Sequence, residues 1–212
     1  MKNVPMNKSL KSIAVAALLL TMSTACSIFP ETDPVQLLDP QPPSSASTGQ
    51  PRAWTLNVYR PEADPARDST RVLVRTGQGQ LQVHATARWV AAAPDLLRTL
   101  LVRYMRDANV LSEISAGAAG MDRTLALDLR RFELVETGDQ QLAAEIRIEA
   151  RLFDGRSAEL LDRRLFERRE PVGNADSDAI IRGFNSVLGE IVPALAAWLT
   201  GEGPAPAGDS PG

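Results

Sequence analysis

One side chain in the chain is placed for covalent chemistry. Cys26 is the sole cysteine among 212 residues and sits in "LLLTMSTACSIF" (18–29), directly after a short apolar run. A lone thiol is a liability in an oxidising compartment, so its sulfur is read as serving something other than a disulfide. The small residues Ser23-Thr24-Ala25 just before it would let an extended backbone enter a processing site, with the thiol as the reacting atom. No other residue type offers a comparable constellation. His84, the only histidine, lies on the polar side of an alternating stretch, with no Cys/His cluster to complete a metal site. Asp95, Asp107, Asp122 and Asp128 are scattered and are read as lying on solvated faces. No G-x-S-x-G, Walker or Gly-rich phosphate motif occurs, so neither an enzyme nor a cofactor or metal is expected.

The segment that positions Cys26 reads as an export signal over residues 1–25. Lys2, Lys8 and Lys11 form a positive start, and Ile13 to Met22 is apolar over about ten residues, half a bilayer span. Followed by Cys26, the pattern resembles a bacterial lipobox, with Ser23 where an aliphatic residue is usual. Ser23 and Ala25 equally suit an ordinary signal peptidase, which would leave Cys26 unlipidated. Ser27 stands where an aspartate would retain a Gram-negative lipoprotein at the inner membrane, so the expected address is the periplasmic face of the outer membrane. The acyl groups expected on Cys26 are a diacylglycerol and an N-acyl chain.

Three of the 23 basic residues are lysines, all in the leader, which leaves 20 arginines against 26 acidic residues beyond it. That net charge of about −6 argues against a nucleic-acid partner. At 44% hydrophobic and 23% charged, the chain has the apolar content for one core. Residues 26–53, rich in proline and small polar residues, read as a lipidated N-terminus and flexible tether, and 200–212 as a disordered tail. The folded unit is expected over 54–199.

Within it, 54–61, 71–76, 80–90, 123–136, 141–153 and 159–169 have strand character. In 80–90, Leu81, Val83, Ala85, Ala87 and Trp89 alternate to one side. In 123–136 the phase slips at Arg130-Arg131, which a β-bulge would reconcile. Helices are expected from Pro94 to Asn109 and from Asp176 to Leu199, the second capped by Asp176 or Ser177 and holding Pro193, which should kink it near Gly189. The fold class is therefore α/β: one domain, a mixed sheet of about five or six strands and two main helices.

These elements carry a family resemblance. "LNVYRPEADPARDSTRVLVRTGQGQLQVHATARWVAAAPDLLRTLLVRYM", then "LDLRRFELVE", "IRIEARLFD", "RRLFERREPV" and a final amphipathic helix ending in tryptophan resemble the ABC-type transport auxiliary lipoproteins, paraquat-inducible lipoproteins included, across 54–199. The resemblance implies a non-catalytic outer-membrane lipoprotein. Its partners would be an inner-membrane permease, its ATPase and a periplasmic mammalian-cell-entry (MCE) domain protein, moving lipid between membranes, with members able to assemble into homo-oligomeric rings. The alternative is a structural or assembly lipoprotein of the outer membrane or cell wall without a transporter. Two features are candidates for an interface: Trp89, otherwise a core residue like Trp54 and Trp198, and the run Arg163, Arg164, Arg168, Arg169, otherwise a solvated strand face. That run could meet anionic headgroups or an acidic partner.

Overall fold

The phase slip in 123–136 is the key to the sheet. In the computed structural model, which describes residues 34–41, 44–45, 50–138, 141–173 and 176–201, this stretch is the trunk of the sheet. It pairs antiparallel with Leu142–Asp154 along its whole length, and the register shifts between Leu129 and Arg131. The extra residue turns Leu125, Leu127 and Leu129 to the same side as Phe132 and Leu134, and all five are buried. The expected bulge is present.

Among the described residues, eight strands and two helices follow one another as β1 (Gln36–Leu38), β2 (Arg52–Val58), β3 (Arg71–Arg75), β4 (Leu81–Trp89), α1 (Ala93–Asp107), β5 (Leu111–Ser115), β6 (Arg123–Glu136), β7 (Leu142–Asp154), β8 (Leu160–Gly173) and α2 (Ser177–Thr200). β6 has β7 on one side, and β7 carries β8 as an edge strand. On its other side β6 has two neighbours. β2 runs parallel to its first residues and leads out to β5, while β3 runs parallel to Glu133–Val135 and leads to β4 and β1. The chain leaving β2 bridges the gap: Glu62 N–H donates to Leu127 O at 2.8 Å and Leu129 N–H to Glu62 O at 2.8 Å.

Both helices cover one face of this branched sheet. Leu97, Leu101 and Met105 of α1 and Ile180, Phe184, Leu188 and Ile191 of α2 share one core with Leu127, Phe132 and Ile146. Trp89 is the hub: its ring meets Phe132 at 5.2 Å and Phe184 at 4.7 Å, both edge to face. Asp176 caps α2 by accepting from Ala179 N–H at 2.7 Å, Gly201 closes it with φ 76°, and the helix continues through Pro193. Gly183 is required for the close approach of α2, since a Cβ there would sit 2.6 Å from Val172 Cγ2.

Three expectations need correction. The sheet has eight strands, because β1 and β5 are added to the six read from alternation. β1 lies inside the stretch read as a tether. It pairs parallel with β4, its Leu38 is 5% exposed, and Leu38 O accepts from Val90 N–H at 3.1 Å. The folded unit therefore begins well before Trp54; three residues between prolines are too few for a period to be visible. β4 does not keep one phase. Arg71 faces Arg88 but Leu73 faces Val83, so residues added on β4 reverse its alternation. Ala87 and Trp89 enter the core, while Leu81 and Val83 emerge 37% and 42% exposed.

Candidate interaction surface

With both helices on one face, the opposite face of β6, β7 and β8 carries a charged lattice. Directly opposed residues on adjacent strands share a face, which groups Glu133 of β6 with Glu145 of β7. Both carboxylates are wholly buried. Two like charges facing each other without water would be costly unless paired. Arginines do the pairing. Glu133 accepts from Arg75 Nε at 2.6 Å and from Arg67, which is itself buried and also holds Asp64. Glu145 accepts from Arg131 at 2.5 Å and from Arg169 Nε at 2.9 Å. Farther along, Arg147 meets Glu167 at 3.5 Å and Arg130 spans Asp128 and Glu149. Four guanidiniums thus clamp two buried carboxylates.

The four arginines of the candidate interface divide accordingly. Arg169 belongs to the Glu145 clamp, and Arg168 pairs with Glu190 of α2 at 2.9 Å. Arg163 and Arg164 line a shallow surface hollow with Leu165 and Glu149, and no acidic side chain is paired with either among the described residues. The run is therefore less cationic than its sequence. Leu160, Leu161 and Leu165 are exposed on the same edge strand. Trp89, 1% exposed, is a core residue and presents no surface to a partner. Cys26 and Ser27 lie outside the described residues.

Trp54 and Trp198 are found at the end of the molecule where α2 stops. Arg123 lies over the Trp54 ring at 4.3 Å, and Trp198 Nε1 donates to Asp162 Oδ2 at 2.7 Å. Three of the four aspartates read as merely solvated have partners. Arg60 binds both Asp95 (2.9 Å) and Asp68, which raises its own pKa and lowers that of Asp68. Asp122 accepts from Thr55 N–H at 3.0 Å and from its hydroxyl at 3.1 Å, which holds its carboxyl below the usual range. Asp128 meets Arg130. His84 is half-buried on β4, and no group of three potential metal ligands occurs among the described residues. These contacts fix elements to each other.

One set of residues escaped the sequence reading: Arg98, Arg103 and Arg106 on α1, the polar counterpart of its apolar stripe, with Arg98 half-buried and the other two exposed. Their five- and three-residue spacing on an amphipathic helix was the available signal, weaker than the dense arginine run on β8.

The sequence pattern of the family described as "ABC-type transport auxiliary lipoprotein component" matches residues 36–196, most of the chain. Among solved structures, protein XCC0632 from Xanthomonas campestris is similar at 29% identity and a TM-score of 0.74, covering 79% of this chain and 97% of that one. An uncharacterised protein is similar at 19% identity and a TM-score of 0.55, covering 75% and 99% respectively. No curated protein matches the chain significantly. The match begins at the first residue of β1, in keeping with that strand's place in the fold. The chain belongs to the ABC-type transport auxiliary lipoprotein family.

Proposed function

We propose that the chain is a non-catalytic, lipid-anchored component of an ABC-type system that moves lipid between the inner and outer membranes. In this reading Cys26 carries a diacylglycerol and an N-acyl chain, and Ser27 directs the protein to the periplasmic face of the outer membrane. An MCE-domain protein with its permease and ATPase forms the partner complex, and several copies of the chain associate as a ring. The observation that carries the reading is the family match over 36–196, joined to a sole cysteine at the end of an export leader.

The fold adds a geometric consequence. Nine residues lie between Cys26 and Gln36, so the start of β1 can be no more than about 35 Å from an acylated Cys26. Three acyl chains make such an anchor durable, at about 0.8 kcal/mol for each buried CH₂. The direct test is affinity purification of the tagged full-length protein from detergent-solubilised envelope, followed by mass spectrometry. Recovery of an MCE protein with its permease and ATPase supports the reading. Recovery of the chain alone, or with cell-wall or outer-membrane assembly factors, replaces it with a structural role. For the anchor, Cys26→Ser should abolish incorporation of labelled palmitate and move the protein from the membrane to the soluble fraction; unchanged fractionation would refute Cys26 as the attachment point.

A further inference from the structure

We infer that the polar side of α1 carries an anion site, and that its occupant is the phosphate of an anionic phospholipid headgroup at the membrane surface. Arg98, Arg103 and Arg106 line one cleft of about 330 Å³, with Thr99 beside them and the buried Val102 as its floor. On a helix, residues 98, 102 and 106 lie in one row and 99 and 103 in the next, so three guanidiniums converge on one opening.

Charge balance separates this cleft from the arginine clamps of the sheet. Arg67, Arg75, Arg130, Arg131, Arg147, Arg168 and Arg169 each meet a carboxylate. Among the described residues, Arg98 and Arg103 meet none. Arg106 donates only to a neutral acceptor, Ile114 O, at 2.6 and 3.2 Å, which fixes the guanidinium without neutralising it. Asp107 is the one acid lining the cleft, and no ion pair ties it to an arginine there. Asp95, a turn earlier, is already held by Arg60. Two positive charges therefore remain uncompensated on a chain that is acidic beyond its leader.

Guanidinium forks match phosphate oxygens in pairs, and the Thr99 hydroxyl adds a donor of the same kind. A lipid headgroup, as opposed to free phosphate, is favoured by the short span between Cys26 and β1; this choice of source rests on the anchored reading above, whereas the anion chemistry does not. Arginines placed near an anionic leaflet are attracted to its surface potential.

The experiment uses the acylated full-length protein in lipid nanodiscs, with an environment-sensitive fluorophore on Ala116→Cys, a position lining the cleft. Emission is compared in pure phosphatidylcholine and in discs with about 30% phosphatidylglycerol, an anionic content sufficient to set a surface potential. The expected result is a spectral shift that appears only with phosphatidylglycerol and weakens about fivefold or more in Arg98→Gln/Arg103→Gln. Arg163→Gln/Arg164→Gln should retain it. None of these four side chains is tied to a carboxylate among the described residues, and Arg98 and Arg164 are half-buried while Arg103 and Arg163 are exposed, so circular dichroism should report a folded domain in every case. An equal shift in the α1 variant overturns the site. A response to inorganic phosphate in phosphatidylcholine discs, with none to phosphatidylglycerol, overturns the membrane source. No transporter is present, so failure here leaves the transport reading to be judged by its own co-purification.

Discussion

Arg163 and Arg169 stand on the same face of the same edge strand, and in the sequence nothing distinguishes them. The structure does. Arg169 holds a carboxylate that is wholly buried, whereas Arg163 meets solvent. Removing one partner from a buried charge costs more than the pair contributes, because the remaining charge is left desolvated. Arg131 stays on Glu145 and the Arg169 side chain is 49% exposed, so the loss in Arg169→Gln is moderated to about 1–3 kcal/mol. Arg163→Gln should stay within about 0.5 kcal/mol of the parent. Urea midpoints at neutral pH measure both, and equal midpoints would mean that the clamp carries no stability. The consequence for function is direct: substituting all four arginines together would confound folding with docking, so any interface test on β8 belongs to Arg163 and Arg164.

At the level of elements, the short strand β1 determines how far an anchored domain can move. Its hold on the sheet is one buried leucine, three paired residues and the bond from Gln41 N–H to Asn185 Oδ1 at 3.0 Å. Leu38→Asp should detach it. Burying a leucine is worth about 1.5–3 kcal/mol, and that is the expected loss of stability. Hydrogen exchange at the Val90 amide should accelerate, since its acceptor is Leu38 O. Leu37→Asp, at a position 68% exposed, should leave that amide protected. Identical exchange in the two variants would refute β1 as the attachment.

What was legible in the sequence follows from length. β6 and β7 span 14 and 13 residues, enough for alternation and even for the bulge at Arg130 to be visible. The cap on α2 was legible for the same reason, as a local motif at the start of a long apolar stripe. β1 and β5 are 3 and 5 residues long and are held by partners remote in sequence, which no local period records. The phase reversal in β4 depends on its pairing with β3 and was invisible for that reason. The arginine cleft on α1 was hidden differently. Its residues were in view, but their lack of acidic partners is a property of the folded surface. Trp89 shows the converse, since burial at a three-ring junction withdraws a residue that composition alone made a candidate for contact.

Taken as a whole, the molecule joins its parts through carboxylates, and this gives it a pH dependence of definite sign. Asp122 fastens the start of β6 to β2: Thr55 donates to it through both N–H and hydroxyl, and the Thr55 hydroxyl accepts from Asp122 N–H at 2.9 Å. Asp154 closes the β7–β8 turn by accepting from the backbone N–H of Ser157 and Arg156, and Asp68 is held by Arg60. All three carboxyls are held below their ordinary range by these donors. Around and below the usual aspartate value of about 3.9, the unfolded chain therefore binds more protons than the folded one. The stability these groups contribute is complete above about pH 5 and is lost as pH falls through their lowered folded values. Unfolding midpoints in urea should be level from pH 7 to 5 and decline toward pH 3. Asp122→Asn removes one titrating group, so its midpoint should start lower at pH 7 and fall less steeply on acidification. If the slope of that variant equals the parent's, the acid sensitivity arises elsewhere, and the Thr55–Asp122 junction is not one of its sources.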